Sequence, residues 1–532
     1  GFHNYTGGGE RYATYVEPMI KIEYKDILPQ ACFDNSLTAR WGYLPMKVKD
    51  YAFGTDRVFS LPEGAEAFGS DASVTSSTPR EHYEKSQTLM RDVLSMAHER
   101  GIRMAMGFEF GVIPPEYFSL NVAGDCFYWP GESNMIPNPK SQIAIEIHYA
   151  ALDNVLETYP DIDYVWLWLN EHSFMGVNIE KALENTSFAE AYNAGQGYFK
   201  EAADSAARFV GVWALEYMKL TSDYLKSKGS DAKVILGGWG GGHQLPSLLN
   251  GLDRALPKDV IFSCLNPDLG KSPQPEFLSD IAKNRTVWAV PWLEGDHQLW
   301  HFQPRVEMMR DHVKLAAKQN LDGVIAIHWR TEEPRFNFRT FAHFASNKTD
   351  NKTVEQLYEE YLTEDMGNKA AKLLAPLLAQ MDIKQIQWNV PSPEFYAFTP
   401  EWGLLDDQNV KLRESLIRTA EQVLKKTEGS QRDNLQRFIA MFRFELLLGE
   451  VDKAMMPAFI LKKNRQGVAA SSFEEYEEAY RSLMAAPVKD MFETYMQRVH
   501  SRGELGVLSS LNQRLWREYN DLKSYLETKL KR

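Results

Sequence analysis

The chain has 532 residues, 44% of them hydrophobic, and a formal charge of −13 from 59 basic and 72 acidic side chains. That length exceeds what one compact core usually serves and points to two domains. The acidic balance argues against a nucleic-acid surface or an anionic membrane as partner, and no apolar run reaches the roughly 18 residues of a membrane span.

The opening GFHNYTGGGERY is neither a signal peptide nor a natural start, so a mature or trimmed fragment of an exported protein is expected. Its glycines would permit close approach to a ligand that Arg11 contacts, or simply form a flexible end. From about residue 84 to 345, short apolar runs alternate with helical patterns. Helix-like EHYEKSQTLMRDVLSMAHER precedes IRMAMGFEF at 102–110, and a second helix near 140–158 precedes YVWLWLNE at 164–171. A long segment at about 187–228 leads into AKVILGGW at 232–239, followed by DVIFSCLN at 259–266, RTVWAVPWLEGD at 285–296 and GVIAIHWR at 323–330. Continuous apolar runs separated by helices are the pattern of parallel strands covered on both faces.

Six such strands are clear, and TARWGYLP at 38–45 is the candidate for the one before them. With a first strand at the chain's start, eight strands make a (β/α)8 TIM barrel over residues 1–345, whose chemistry sits at the strand C-terminal ends. An open doubly wound sheet would concentrate its site at one switch point, whereas here polar groups recur at nearly every strand end. No phosphate-binding loop is present, because GGWGGG at 237–242 lacks both the spacing and the lysine.

After about residue 346 the periodicity becomes helical and stays so to the end, giving a mainly α-helical domain over 346–532. PSPEFYAFTPEWG at 391–403 interrupts it. That loop would either close the interdomain surface or lend Phe395, Tyr396 or Trp402 to a site. The helical tail would support the barrel rim or form a homo-oligomer surface.

Two carboxylates stand out. Counting strands, Asn170-Glu171 closes the fourth and Glu294 the seventh, positions that face one another across a barrel mouth. Paired carboxylates suit glycosidic cleavage, in which a leaving alkoxide needs a proton while the oxocarbenium-like centre needs a nucleophile or an activated water. The 13 tryptophans, 24 tyrosines and 28 phenylalanines mostly belong to cores, but Trp239, Trp292 and Trp329 fall at strand ends, where flat rings suit the C–H face of a sugar.

The barrel pattern with Asn170-Glu171 at the fourth strand and Glu294 at the seventh resembles the large clan of retaining glycoside hydrolases with (β/α)8 catalytic barrels. The resemblance covers about residues 1–345. It implies that Glu171 is acid/base, that Asn170 contacts a substrate hydroxyl and that Glu294 is the nucleophile. The barrel-plus-helices plan is also similar to bacterial α-glucuronidases and relatives of hexosaminidases. The α-glucuronidases invert, and Asp296, Glu332, Glu333 and Glu109 offer other water-activating bases. Hexosaminidase-like enzymes hold a substrate acetamide with an Asp-Glu pair where this chain has Asn170-Glu171.

The neighbours admit two readings each. Glu171 could instead cap a helix or pair with Arg330, and Glu109 could orient a neighbour or hold an arginine. His243, Asn266 and His297 would bind sugar hydroxyls, although Asn266 also suits an Asx turn. Arg330 and Arg335 would hold an anionic sugar, or neutralise Glu332 and Glu333. The histidines lack a metal-ligand spacing, so no metal and no cofactor is expected. The expectation is a hydrolase of a poly- or oligosaccharide, exported to a bacterial periplasm or cell surface, with an inactive glycan-binding protein as the rival.

Overall fold

The computed structural model describes residues 2–4, 19–29, 46–47, 67–68, 72, 75–111, 115–120, 126–128, 135–169, 178–184, 186–238, 245–265, 272–295, 301–328, 332–384, 400–401, 403–463, 472–499, 508 and 511–531. The chain divides into two compact units. One holds Gly1–Thr38, Ser70–Pro291 and His312–Ala326; the other holds Ala39–Gly69, Trp292–Asp311 and Ile327–Arg532.

The first unit is built on a seven-stranded parallel sheet. Its strands are β1 (Phe2–Asn4), β4 (Ala105–Phe110), β7 (Tyr164–Leu169), β8 (Lys233–Gly237), β9 (Ile261–Leu265), β10 (Val287–Val290) and β11 (Gly323–Val324), in that spatial order. Two antiparallel pairs form separate sheets: β5 (Cys126–Tyr128) with β6 (Met135–Pro137) in this unit, and β2 (Met46–Lys47) with β3 (Ala67–Phe68) in the second. From β4 onward, each strand of the large sheet follows a helix in the chain: Pro79–Glu99, Gln142–Thr158, Ser205–Ser227, Leu245–Ala255, Leu278–Ile281 and Val306–Lys318. Spatial order that repeats chain order, with a helix before each strand, is the (β/α)-barrel plan, and a mainly helical C-terminal region follows it.

One expectation shifts. Phe2 pairs directly with Met106 and Asn4 with Phe108, so the neighbour of β4 is the chain's first strand. The 38–45 segment expected there lies outside the described residues.

Strand alternation explains the apolar runs. Met106, Phe108 and Phe110 of β4, Val165, Leu167 and Leu169 of β7, Val234 and Leu236 of β8, and Phe262 and Cys264 of β9 share one core with helix residues such as Met90, Leu152, Phe209 and Val212. The intervening residues therefore point to the opposite face. There Trp166 and Trp168 meet edge to face at 5.7 Å, and Tyr164 of β7 meets Trp288 of β10 at 5.3 Å. Strands β7 and β10 are three intervals apart, about 14 Å in a flat sheet, so a ring contact between them requires a strongly curled sheet. Gly237 is part of this packing, since a Cβ there would lie 2.3 Å from Trp166 Nε1.

Helix starts are written locally. Thr78 caps Pro79–Glu99 with proline in the first turn, Ser141 caps Gln142–Thr158 and Asp204 caps Ser205–Ser227. Behind the sheet, His148 is buried between Phe108 and Tyr217, with Nε2 2.8 Å from Thr221 Oγ1. Burial pushes its ring down to about 3. A base whose folded value is depressed contributes stability above its unfolded value, near 6.5, that is lost as pH falls toward about 3. His148→Gln should therefore flatten the acid limb of the stability curve by up to about 1.4 kcal/mol per pH unit. Urea titrations from pH 7 to pH 4 read this directly; identical slopes in variant and wild type would rule it out.

The second unit is mostly helices, the longest being the 35-residue Gly429–Lys463. Phe444, Leu448, Val451 and Met455 of that helix pack with Met491, Phe492, Tyr495, Leu522 and Leu526, each fully buried side chain contributing about 1.5–3 kcal/mol. Its polar interior is specific. Arg413 and Glu445 form an ion pair in which both side chains are 0% exposed. Asp382 anchors the start of Val306–Lys318, accepting from Val306 N at 2.7 Å and from Tyr358 Oη at 2.8 Å, while burial pushes its carboxyl up to about 7. Among the described residues no helix is long and apolar enough to cross a membrane.

Candidate active site

A barrel presents functional groups where its strands end, and two of the expected carboxylates, Glu109 and Glu294, stand near the end of a strand along the chain. Glu109, penultimate in β4, is 2% exposed and by alternation faces away from the helix-packed side that holds Phe108 and Phe110. Phe110, next to it, stacks on Trp213 at 5.4 Å, which fixes the strand end from the helix side. Glu109 belongs to the first unit.

Glu294 belongs to the second unit. It lies four residues beyond the end of β10, beside Trp292, which bridges to Ile327 in parallel register, and it is 0% exposed. Side chains grip the backbone on both sides of it. Leu293 N donates to Ile327 O at 2.9 Å. Arg305 Nη1 donates to Trp292 O at 3.2 Å, and Asn337 Nδ2 donates to Leu293 O at 2.8 Å. Gln303 takes both polar atoms of Gly295, its Oε1 accepting from the amide at 2.7 Å and its Nε2 donating to the carbonyl at 3.0 Å. Asn337 ties the gripping residues together, accepting from Arg305 N at 2.8 Å and donating to Gln303 O at 2.7 Å.

A side chain at position 295 would press on this arrangement, since a Cβ there would lie 2.5 Å from Arg305 Nη2. A carboxyl whose main chain is held on either side is pre-organised, which is what a group acting on a reacting atom requires. Gln303, Arg305 and Asn337 are all buried. Nothing in HFQPRV or FNF marks them in the sequence, because their role appears only once those segments pack against residues 292–295. Asn337→Ala strands the Leu293 and Gln303 carbonyls and the Arg305 amide, at about 1–3 kcal/mol for each buried group. The expected result is a clear fall in unfolding free energy; an unchanged denaturant midpoint would show that the grip contributes nothing.

Several expected site residues lie outside the described residues: Asn170 and Glu171, which directly follow β7, and Trp239, His243, Asn266, Asp296, His297, Trp329 and Arg330. Phe395, Tyr396 and Trp402 of the proline-rich loop lie there too. Trp292 is enclosed at 2% exposure. Glu332 is partly exposed, with Arg335 Nη1 3.8 Å from its carboxylate, and Arg335 Nη2 lies 2.8 Å from Asp365. Glu333 accepts from Arg498, far along the chain, at 3.2 Å. His328 meets Phe338 edge to face at 5.1 Å. Among the described residues no group of three His, Cys, Asp or Glu side chains could hold a metal ion.

No protein-family model matches the chain, and no curated protein sequence does. Solved structures similar to it include an O-GlcNAc hydrolase mutant from Thermobaculum terrenum, at 12% identity over 84% of this chain and 86% of that one, with a TM-score of 0.40. A family 138 glycoside hydrolase targeting pectin rhamnogalacturonan II matches at 9% identity over 85% of this chain and 58% of its own, with a TM-score of 0.42. A family 115 4-O-methyl-α-glucuronidase with specificity for decorated arabinogalactans matches at 12% identity over 69% of this chain and 47% of its own, with a TM-score of 0.40. Likenesses of this degree assign no activity to the chain.

Proposed function

We propose that the chain is a carbohydrate-active hydrolase that cleaves a glycosidic bond with the carboxyl pair Glu171 and Glu294. The observation that carries this reading is Glu294, an enclosed carboxyl just beyond a parallel strand, on a backbone gripped by Gln303, Arg305 and Asn337. In this reading Glu294 attacks the anomeric carbon as Glu171 gives its proton to the departing oxygen. Glu171 then takes a proton from water, which attacks the same carbon and releases Glu294. Asn170, His243, Asn266 and His297 bind hydroxyls, Trp239 and Trp329 offer stacking faces, and Arg330 meets any acidic group. Glu109, Asp296 and Glu332 support the charges of the pair. Export to a periplasm or cell surface belongs to the same proposal.

The experiment is a screen of wild-type protein against a panel of poly- and oligosaccharides, with products read by mass and the first-formed anomer read by proton NMR. Retention fits a carboxyl separation of about 5 Å, and inversion one of about 6.5–9.5 Å. Glycan binding with no cleavage anywhere on the panel would replace the hydrolase with a binding protein.

A further inference from the structure

The second unit contains a cleft that Glu294 does not line. It offers about 70 Å³ of free space and is lined by Arg335, Arg437 and Arg498, with Phe302, Phe336 and Phe438 among its apolar walls. Glu332 and Glu333 line it too, so the arginines outnumber the acids.

The three arginines are not equivalent. Arg335 is engaged by Asp365. Arg498 is buried, its side chain 3% exposed, with its guanidinium 4.9 Å from the Tyr495 ring and Nη2 on Glu333. Its Nη1 is buried with no hydrogen-bond partner among the described residues. Leaving such a donor unmet costs about 1–3 kcal/mol, and more when the group is charged. Arg437 donates to Asn434 Oδ1 and, among the described residues, forms no ion pair. An anion in the cleft gives Arg437 a counterion through charge-assisted bonds, about twice as strong as neutral ones, and offsets the charge of the Arg498 guanidinium, which lines the same cleft.

We propose that this cleft is a binding site for a compact oxyanion, held by Arg437 beside the cation of Arg498. The free space, several times what one water requires, admits a sulfate, phosphate or carboxylate group. The group can be a free ion or the acidic substituent of a larger molecule whose body stays outside, against the phenylalanines. The site stands independently of the hydrolase reading.

Isothermal titration with sodium sulfate, sodium phosphate and sodium glucuronate, each at matched ionic strength in chloride, tests it. The expected result is saturable binding of at least one of the three, weakened at least tenfold in Arg437→Gln and tightened in Glu332→Gln, which removes a like charge from the cleft. Sulfate or phosphate binding alone identifies an inorganic or ester oxyanion, and preference for glucuronate identifies a sugar acid. Absence of saturable binding for all three overturns the proposal. So does wild-type affinity in Arg437→Gln, once circular dichroism has shown that the variant is folded.

Discussion

Glu294→Gln is expected to reduce kcat on any glycan the wild type cleaves by at least ~10³-fold, while Glu171→Gln reduces it by ~10²–10⁴-fold, the usual contribution of a positioned acid/base. Glutamine keeps the size and polarity of the side chain, and the grip around residue 294 acts on the main chains of Trp292, Leu293 and Gly295. The unfolding midpoint of Glu294→Gln should therefore move much less than that of Asn337→Ala. A double variant should lose little beyond the worse single one, because residues acting in one step are not additive. Stopped-assay product quantification decides it. Undiminished turnover in Glu294→Gln would remove that residue from the mechanism whatever its surroundings.

Arg413→Met should destabilise the helical unit by about 3–5 kcal/mol, the cost of leaving one member of a buried ion pair alone. Glu445 also accepts from Phe302 N, and Arg413 Nη1 donates to Asn409 Oδ1 at 2.6 Å, so losing the cation unsettles a connected network. Burial works to raise the Glu445 carboxyl, but Arg413 and His301 outweigh it and hold the group down to about 2. A depressed carboxyl contributes stability above its unfolded value, near 4.5, that is lost as pH falls toward 2. The deficit of Arg413→Met should accordingly be full at pH 7 and shrink on acidification below pH 4.5. Replacing both partners with apolar residues, as Arg413→Met with Glu445→Leu, should recover much of the loss, because no charge is then left buried. Urea unfolding followed by circular dichroism measures all three, and equal midpoints for Arg413→Met and wild type would show the pair to be neutral.

The strands were legible because their chemistry is local. YVWLWL, AKVILGG and DVIFSCL are continuous apolar runs bounded by helical periodicity, and the described strands Tyr164–Leu169, Lys233–Gly237 and Ile261–Leu265 fall inside them. The short first strand, Phe2–Asn4, offered three residues and no pattern. It takes its place only by pairing with β4, and so β4 has a neighbour that periodicity did not point to. Within YVWLWL the sequence established burial on both faces; it did not establish which residues meet which partners. Tyr164 finds Trp288 because the sheet curls, and curvature is a property of many strands together.

The site divides the same way. That Glu294 ends an apolar run beside a strand is written in VPWLEG, and a carboxyl at a strand end is a sequence-level signal. What grips its backbone is not, since Gln303, Arg305 and Asn337 are ordinary polar residues until the chain folds back on 292–295. Arg335 stands three residues from Glu332, a proximity that sequence alone reveals. Glu333 instead meets Arg498, 165 residues along the chain, and Arg498 Nη1 is left without a partner among the described residues. Composition and periodicity thus determined the strands, the helices and the carboxylates at their ends, because those depend on near neighbours. The gripping side chains, the buried ion pairs and the anion cleft were decided by tertiary structure, because each needs groups that only a closed core brings within hydrogen-bonding distance.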